Sequence, residues 1–295
     1  MNPGVFVPLL LSALLAAASG TIATRLPPKR ATLALVGGSV VAAVTSTWAL
    51  ALLTSAVVPG LLLRGLPELS EVGTGTFVRG TLSLGALVSL GVGARRLVRV
   101  VSSRRATRRE LRALCAGHGG ELVVAAAEAP HAFAVPGSPS RILVTTGMLR
   151  ALDAGERRVL FAHERAHLRK RHHGLRAVAE VAAALNPLLI PVREAVAFLI
   201  ERWADEAAAA EVGDRQLAAR SLARAAIATR EAEAAGGAMC FHYLAVRRRV
   251  AALQAPPVPD RKVPALGVAL LVGTATGAVG QATAEFILIL DLLLQ

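Results

Sequence analysis

The sequence is short of cysteines, aromatic residues and acids, and each shortage narrows the possible functions. Its two cysteines, Cys115 and Cys240, form no CxxC pair, so we expect neither a disulfide framework nor a cysteine zinc site. Aromatic residues make up 3% of the chain and none interrupts its main arginine run, which argues against a nucleic-acid partner. The 20 acidic residues are outnumbered by 33 basic ones, and the net charge of +13 suits an anionic membrane surface.

Apolar residues, by contrast, make up 54% of the 295 residues and are concentrated in long blocks. About 20 apolar residues cross a bilayer core as a helix. By that criterion residues 1–94 contain three transmembrane helices, at about 4–23, 31–58 and 77–94, and residues 263–295 contain a fourth. No basic residue precedes the first block, which favours a membrane span over a cleaved signal peptide. A buried helix of a soluble core is the alternative for each block.

The arginines predict the orientation of these spans. Eight of them lie between residues 95 and 112, directly after the third block. Short segments rich in lysine and arginine stay on the cytoplasmic side of a membrane. We therefore expect a multi-pass protein of the cell membrane, with residues 95–262 in the cytoplasm and both termini outside.

Residues 95–262 carry the pattern of a small α+β domain. A helix is predicted at 104–116, and β-branched and apolar runs predict three strands, at 121–127, 131–136 and 141–146. Asp153 then opens a further helix, because Glu156 three residues on completes a capping box. The fold expected for the whole chain is a mainly α membrane protein, with about four transmembrane helices and a cytosolic α+β domain that contains a small sheet.

The helix after Asp153 contains the motif His163-Glu164-Arg165-Ala166-His167. Residues i and i+4 face one point on a helix, so both imidazoles can bind one Zn²⁺ ion. Glu164 adjoins the first histidine and can act as general base on a zinc-bound water. A solvated, charged helix face is the alternative, since basic residues surround the motif.

A third metal ligand is expected on a later helix. The carboxylates within range are Glu180, Glu194, Glu201, Asp205 and Glu206. Glu201 and Asp205 are spaced i and i+4 and share a helix face, so one could bind zinc while the other orients a ligand imidazole. Surface carboxylates that balance arginines are the alternative for this pair.

The segment Val181–Val192 lies between the two motifs and is apolar, but it is too short to span a bilayer. Its prolines, Pro187 and Pro191, interrupt a helix. We expect either a turn that dips into the membrane interface or a buried helical hairpin.

Three stretches of residues now carry a family resemblance: FAVPGSPSRILVTTGMLRALDAGERRVLFAHERAHLRKRHH, then NPLL, then ERWADE. Together they resemble the integral-membrane gluzincin metallopeptidases of the M56 family. They are also similar to the M48 peptidases, which share HExxH followed by ExxxD. The resemblance covers about residues 95–250. It implies a gluzincin-type peptidase domain with one zinc ion per chain, in which His163, His167 and Glu201 are the ligands, Glu164 is the catalytic base and Asp205 orients a ligand.

The sequence departs from that family in two places. The sensor-transducers of the M56 family carry an extracellular ligand-binding domain after the last span, so a sequence ending at Gln295 is not expected to sense β-lactams. His172-His173 stands where relatives often have an acidic residue. A helix end that favours a cation would account for this pair, and an additional metal or pH-sensing role is the alternative.

The expected function is a zinc endopeptidase that hydrolyses peptide bonds of a cytosolic or membrane protein in regulated proteolysis. A housekeeping quality-control protease would use the same chemistry on other substrates. A catalytically inactive scaffold or receptor with the same fold is an alternative of another class. A transporter is not expected, because the first two apolar blocks carry no ionisable residue. The sequence leaves the oligomeric state open.

The substrate is expected to bind as an extended strand at a sheet edge. The strand directly before the catalytic helix is the candidate, through Arg141, Ile142, Leu143 and Val144. A position fully paired inside the sheet is the alternative for that strand. For stabilising the oxyanion, the residues within range are Arg247, Arg248 and His242.

Overall fold

The structure is a computed structural model that describes residues 6–55, 74–235 and 242–258, with scattered positions between 273 and 287. It is mostly helical and contains one small sheet. Most of the predicted fourth span, at 263–295, lies outside the described residues, as does Cys240.

Two apolar helices follow each other at the N-terminus: α1 at Val7–Arg25 and α2 at Pro28–Ser55. The chain reverses between them at Leu26-Pro27, so the two helices lie antiparallel and pack together. Both are long and apolar enough to cross a membrane, and they are the two helices of the described residues that meet this criterion. The structure therefore supplies two candidate spans of the four that the sequence predicts.

The third helix, α3, runs from Thr74 to Leu114 as one helix of 41 residues. It joins the predicted span at 77–94 to the predicted helix at 104–116 without a break. The residues between them include several arginines, which favour helix, and no proline that would end it. The apolar and the arginine-rich parts of the chain therefore form one continuous helix here.

Large apolar side chains cover the outer faces of these three helices. Leu10 and Leu14 on α1 are 64% and 62% exposed, and Val44 on α2 is 61% exposed. Leu87 and Val88 on α3 are also exposed. Contiguous apolar surface of this kind marks contact with a membrane or a protein partner. Because Leu10, Leu14 and Val44 lie on the two candidate spans, this surface favours association with a membrane.

The three predicted strands are present and slightly shorter than expected: β1 at Leu122–Ala125, β2 at Ala132–Val135 and β3 at Arg141–Thr145. Their order in the sheet is β1–β3–β2. β3 pairs with β1 in parallel and with β2 in antiparallel orientation, so both of its edges are occupied.

The central position of β3 corrects the expectation that it binds substrate. The side chains of Ile142, Leu143 and Val144 are buried, and the Arg141 guanidinium donates to the carbonyls of Cys115 and His118. A run of apolar and β-branched residues is equally typical of an edge strand and of a central one, because pairing partners are set by the rest of the sheet. The alternative, a strand paired inside the sheet, is the one the structure shows.

Two helices follow the sheet: α4 at Thr146–Ala151 and α5 at Ala154–Arg169. The predicted capping box opens α5. The Asp153 carboxylate accepts from the Glu156 N–H at 2.8 Å, and the Glu156 carboxylate accepts from the Asp153 N–H at 2.9 Å. The helix that carries the HExxH motif therefore begins at the residue the sequence predicts.

The next two helices form a hairpin: α6 at His172–Leu185 and α7 at Ile190–Val212, joined by a single 3-10 turn at Pro187–Leu189. The segment Val181–Val192 is thus the helical hairpin that the sequence left as one of two alternatives. This hairpin shares one apolar core with α1 and α2. Central side chains of that core are Leu15, Leu35, Ala42, Ala183, Val196 and Leu199.

A buried polar contact fixes the tip of the hairpin between the first two helices. The Asn186 side chain donates to the hydroxyl oxygens of Ser12, at 2.9 Å, and Ser46, at 3.0 Å. Its own oxygen accepts from the Leu188 N–H and so caps the 3-10 turn. Gly93 of α3 lies close by, since a Cβ there would be 3.3 Å from the carbonyl oxygen of Leu185. The tip is therefore level with the point at which the apolar part of α3 meets its arginines.

Two last helices complete the described structure: α8 at Arg215–Ala235 and α9 at His242–Gln254. They pack on each other, and both contact α7, while α8 also packs against α5. A second apolar core joins these four helices, with Val159, Ala208, Ala218 and Leu253 among its members. It holds the HExxH helix against the helix that carries Glu201.

We expect Asn186→Ala to lower the free energy of unfolding by about 2 kcal/mol, because two buried hydrogen bonds and a capping bond are lost together. Ser12→Ala removes one of these bonds and should cost about 1 kcal/mol or less. Thermal unfolding in detergent would measure both. Equal stability of Asn186→Ala and the unaltered protein would show that the contact does not hold the hairpin.

Candidate active site

The HExxH motif brings two imidazoles to one point beside a carboxylate. His163 and His167 lie one turn apart on α5, and their Nε2 atoms are 3.0 Å apart. The Glu201 carboxylate on α7 faces both, at 3.6 Å from Nε2 of His163 and 3.8 Å from Nε2 of His167. One ligand atom of each residue lies within 4.8 Å of the others, a spacing that could hold a metal ion. The structure thus assembles the three residues that the sequence proposes as ligands.

The other carboxylates that the sequence left open are engaged elsewhere. Glu180 forms an ion pair with Arg104, Glu206 with Arg215, and Glu194 with its neighbour Arg193. Asp205, one turn after Glu201 on α7, lies 3.1 Å from Nδ1 of His163. Asp205 therefore lies behind the ligand ring and not beside the ligand atoms.

A buried arginine that sequence reasoning missed holds both carboxylates of α7. Arg249 on α9 donates from Nε and Nη2 to the two oxygens of Asp205, both at 2.7 Å. Its Nη1 lies 3.2 Å from the Glu201 carboxylate. The sequence shows a run of three arginines at 247–249, but it does not show which of them is directed into the protein. Arg248 is exposed, and the side chain of His242 lies outside the described residues.

The two histidines of the motif have pKa values shifted in opposite directions. Burial lowers the pKa of His163, but hydrogen bonds to Asp205 and Glu201 outweigh it and raise that pKa to about 10. Burial and the charge on His163 lower the pKa of His167 to about 3. These shifts favour a protonated His163 beside a neutral His167, and binding of a metal ion would require His163 to release its proton.

Glu164 points into a cavity of about 210 Å³ that His163, Glu201, Asp205 and Arg249 also line. Its side chain is buried, and burial raises its pKa. The Ala134 backbone donates a hydrogen bond to this carboxylate, which works in the opposite direction. A carboxylate with a raised pKa, held beside two residues that could bind a metal ion, is suited to accept a proton from a water bound to such an ion.

His172 is a further histidine that contacts the motif. It is 1% exposed, and its Nδ1 lies 3.2 Å from Nδ1 of His167. Its ring also packs on Trp203 of α7, with centroids 4.8 Å apart. It is the first residue of α6 and burial lowers its pKa to about 4, so the explanation by a cation at a helix end does not apply to it.

The cavity opens along the free edge of β2. The Thr145 N–H donates to the His131 carbonyl, and the His131 N–H donates to the Thr145 hydroxyl oxygen. Hydrogen-bonded pairs alternate along an antiparallel ladder. The N–H and C=O groups of Ala132 and Ala134 therefore point away from β3. His131 and Ala132 line the cavity together with His163, Glu164 and Glu201, so this edge faces the candidate site.

Comparison with known protein families gives one match. Residues 104–257, just over half of the chain, match the model of peptidase family M48. The matched segment contains both α5 and α7 with all the site residues described above. Neither the curated proteins nor the solved structures contain a match to this chain.

We expect Arg249→Ala to destabilise the protein by about 3–5 kcal/mol, because it leaves a buried carboxylate without its partner. Arg248→Ala is the matched control on the same helix and should change stability by less than about 0.5 kcal/mol, since the side chain is exposed. Chemical unfolding followed by tryptophan fluorescence measures both. Similar values for the two variants would contradict the role given to Arg249.

Proposed function

The chain belongs to peptidase family M48, and from that premise we propose that it is a membrane-bound zinc endopeptidase. Family membership implies metallopeptidase activity. The observation that carries the proposal is the convergence of His163, His167 and Glu201 on one point, with Glu164 buried beside them. Two nitrogens and one carboxylate oxygen form a typical catalytic zinc site, which leaves a fourth position for water.

The arrangement fits one zinc ion per chain. Both imidazoles face the site with Nε2, and their Nδ1 atoms are engaged by Asp205 and His172. Partners on the far nitrogen fix the tautomer that leaves Nε2 free to bind metal. When bound, zinc would supply Lewis acidity to polarise the scissile carbonyl and lower the pKa of a water.

Glu164 would accept the proton of the attacking water and pass it to the leaving amine. Burial raises the pKa of Glu201 and of Asp205, but His163 and Arg249 outweigh it and lower both pKa values, so both carboxylates are ionised. Because it is already paired with two carboxylates, Arg249 acts by positioning α7. The substrate would add as a strand to the outer edge of β2. Ala132 offers its N–H and C=O groups there, and Ala134, whose N–H donates to Glu164, offers its C=O.

Association with a membrane narrows the class of substrate. Two candidate spans and an exposed apolar surface support this association. The hairpin tip is level with the first arginines of α3, and Glu201 lies about 16 Å along α7 from Ile190. We propose that the site lies on the cytoplasmic side, close to the bilayer, and cleaves cytosolic segments of membrane proteins or cytosolic proteins brought to the membrane.

Regulated proteolysis remains our interpretation of the cellular role, and a quality-control role would use the same site. The relation to the M56 family likewise remains a resemblance. The two roles differ in their substrates, and the Glu164→Gln protein can serve as a substrate trap. Capture of one defined protein would support regulated proteolysis, whereas capture of many misfolded membrane proteins would support quality control.

We expect about one zinc ion per chain in detergent-purified protein, and little in His163→Ala or Glu201→Ala. Glu164→Gln should keep its zinc and lose peptide hydrolysis by a factor of at least about 100, since it removes the general base. Elemental analysis and cleavage of an unfolded protein measure the two properties. A folded protein that binds no zinc would instead support the inactive scaffold.

We expect Ala132→Pro to lower kcat/KM about fivefold through a higher KM. The substitution removes one N–H from the free edge, and one hydrogen bond contributes about 1 kcal/mol. Proline is tolerated at such an edge position because that N–H has no partner in the sheet. Peptide kinetics measure the effect, and unchanged zinc content serves as the control. An unchanged KM would place the substrate elsewhere.

A further inference from the structure

Each of the two ligand imidazoles has a different partner on its far nitrogen. Asp205 lies 3.1 Å from Nδ1 of His163, and Nδ1 of His172 lies 3.2 Å from Nδ1 of His167. We propose that His172 is a positioning residue that fixes the tautomer and the ring orientation of His167 for metal binding. The inference rests on the proposed zinc site.

The backbone brings His172 back to His167 through a strained turn. α5 ends at Arg169 with Lys170 as its C-cap, and Arg171 has a φ of 51°, in the left-handed region that non-glycine residues seldom adopt. This residue reverses the chain between α5 and α6. It places the ring of His172 at 87° to that of His167, with centroids 4.9 Å apart. Trp203, two residues after Glu201 on α7, also packs against the His172 ring and so restricts its orientation.

The hydrogens of His167 and His172 can be placed on their ring nitrogens so that one ring donates to the other. A neutral His167 that binds metal through Nε2 carries its hydrogen on Nδ1 and donates it to His172. His172 must then accept at Nδ1 and keep its own hydrogen on Nε2.

The Nε2 atom of His172 shows that the residue is not there for packing alone. It is buried and has no hydrogen-bond partner among the described residues. A buried polar nitrogen without a partner is unfavourable. An apolar ring would fill the same space against Trp203 without this cost. The contact that requires a histidine here is the one to His167.

His172 is also not a ligand in its own right in this geometry. Its Nδ1 is used by His167, and the group of ligand atoms that could hold a metal ion comprises His163, His167 and Glu201 within the described residues. His172 would therefore affect metal binding indirectly, by orienting the ring of His167.

The experiment compares three variants of the full-length protein in detergent. His172→Phe keeps the ring but removes the acceptor, and His172→Asn restores an acceptor at a similar distance from the backbone. His173→Phe is the matched control, because the contact that this residue makes to Arg104 uses its carbonyl. Zinc affinity is measured by competition with a chelator, the visible spectrum of the Co²⁺-loaded protein reports ligand geometry, and melting of the metal-free protein reports folding.

We expect His172→Phe to bind zinc about 10–100-fold more weakly, with a changed Co²⁺ spectrum and an unchanged melting temperature of the metal-free protein. His172→Asn should recover most of the affinity, and His173→Phe should bind as the unaltered protein does. Unaltered affinity in His172→Phe would overturn the proposal, as would equal losses in the Phe and Asn variants. Absence of zinc binding in the unaltered protein would instead refute the proposed function.

Discussion

The ionised Asp205 carboxylate is the group on which the rest of the site depends. It is buried, and a buried charge is stable only when it is paired and hydrogen-bonded. Its partners come from two other helices: His163 from α5 and Arg249 from α9. One side chain on α7 therefore determines how three helices approach each other. The positions of Glu201 and of the HExxH motif follow from that approach.

Local patterns made part of this architecture predictable. The capping box fixes the start of α5 from two residues, and spacing alone places His163 and His167 on one face. Spacing also places Glu201 and Asp205 together on α7. These features depend on the geometry of single helices, which a sequence carries directly. The M48 resemblance is confirmed by the family match over residues 104–257.

Features that depend on neighbours in space were harder to predict. β3 is central because β1 and β2 both pair with it, and neither pairing can be read from its own apolar run. Arg249 is distinguished from Arg248 only by the side of α9 that faces α7. His172 follows His167 across a helix break, and its return depends on the left-handed Arg171. In each case the deciding contact joins two elements whose relative position no local pattern specifies.

The contact between Asn186 and the serines of α1 and α2 indicates whether a fragment without the first two helices can fold. The apolar face of the α6–α7 hairpin is covered by the first two helices, and Arg202, next to Glu201, donates to the Ala23 carbonyl. A fragment beginning near residue 95 would expose that face to water and leave the polar groups of Asn186 and Arg202 without these partners. The region that matches the peptidase family and the N-terminal helices therefore form one folding unit, and the geometry of the candidate site depends on two helices that contribute no residue to it.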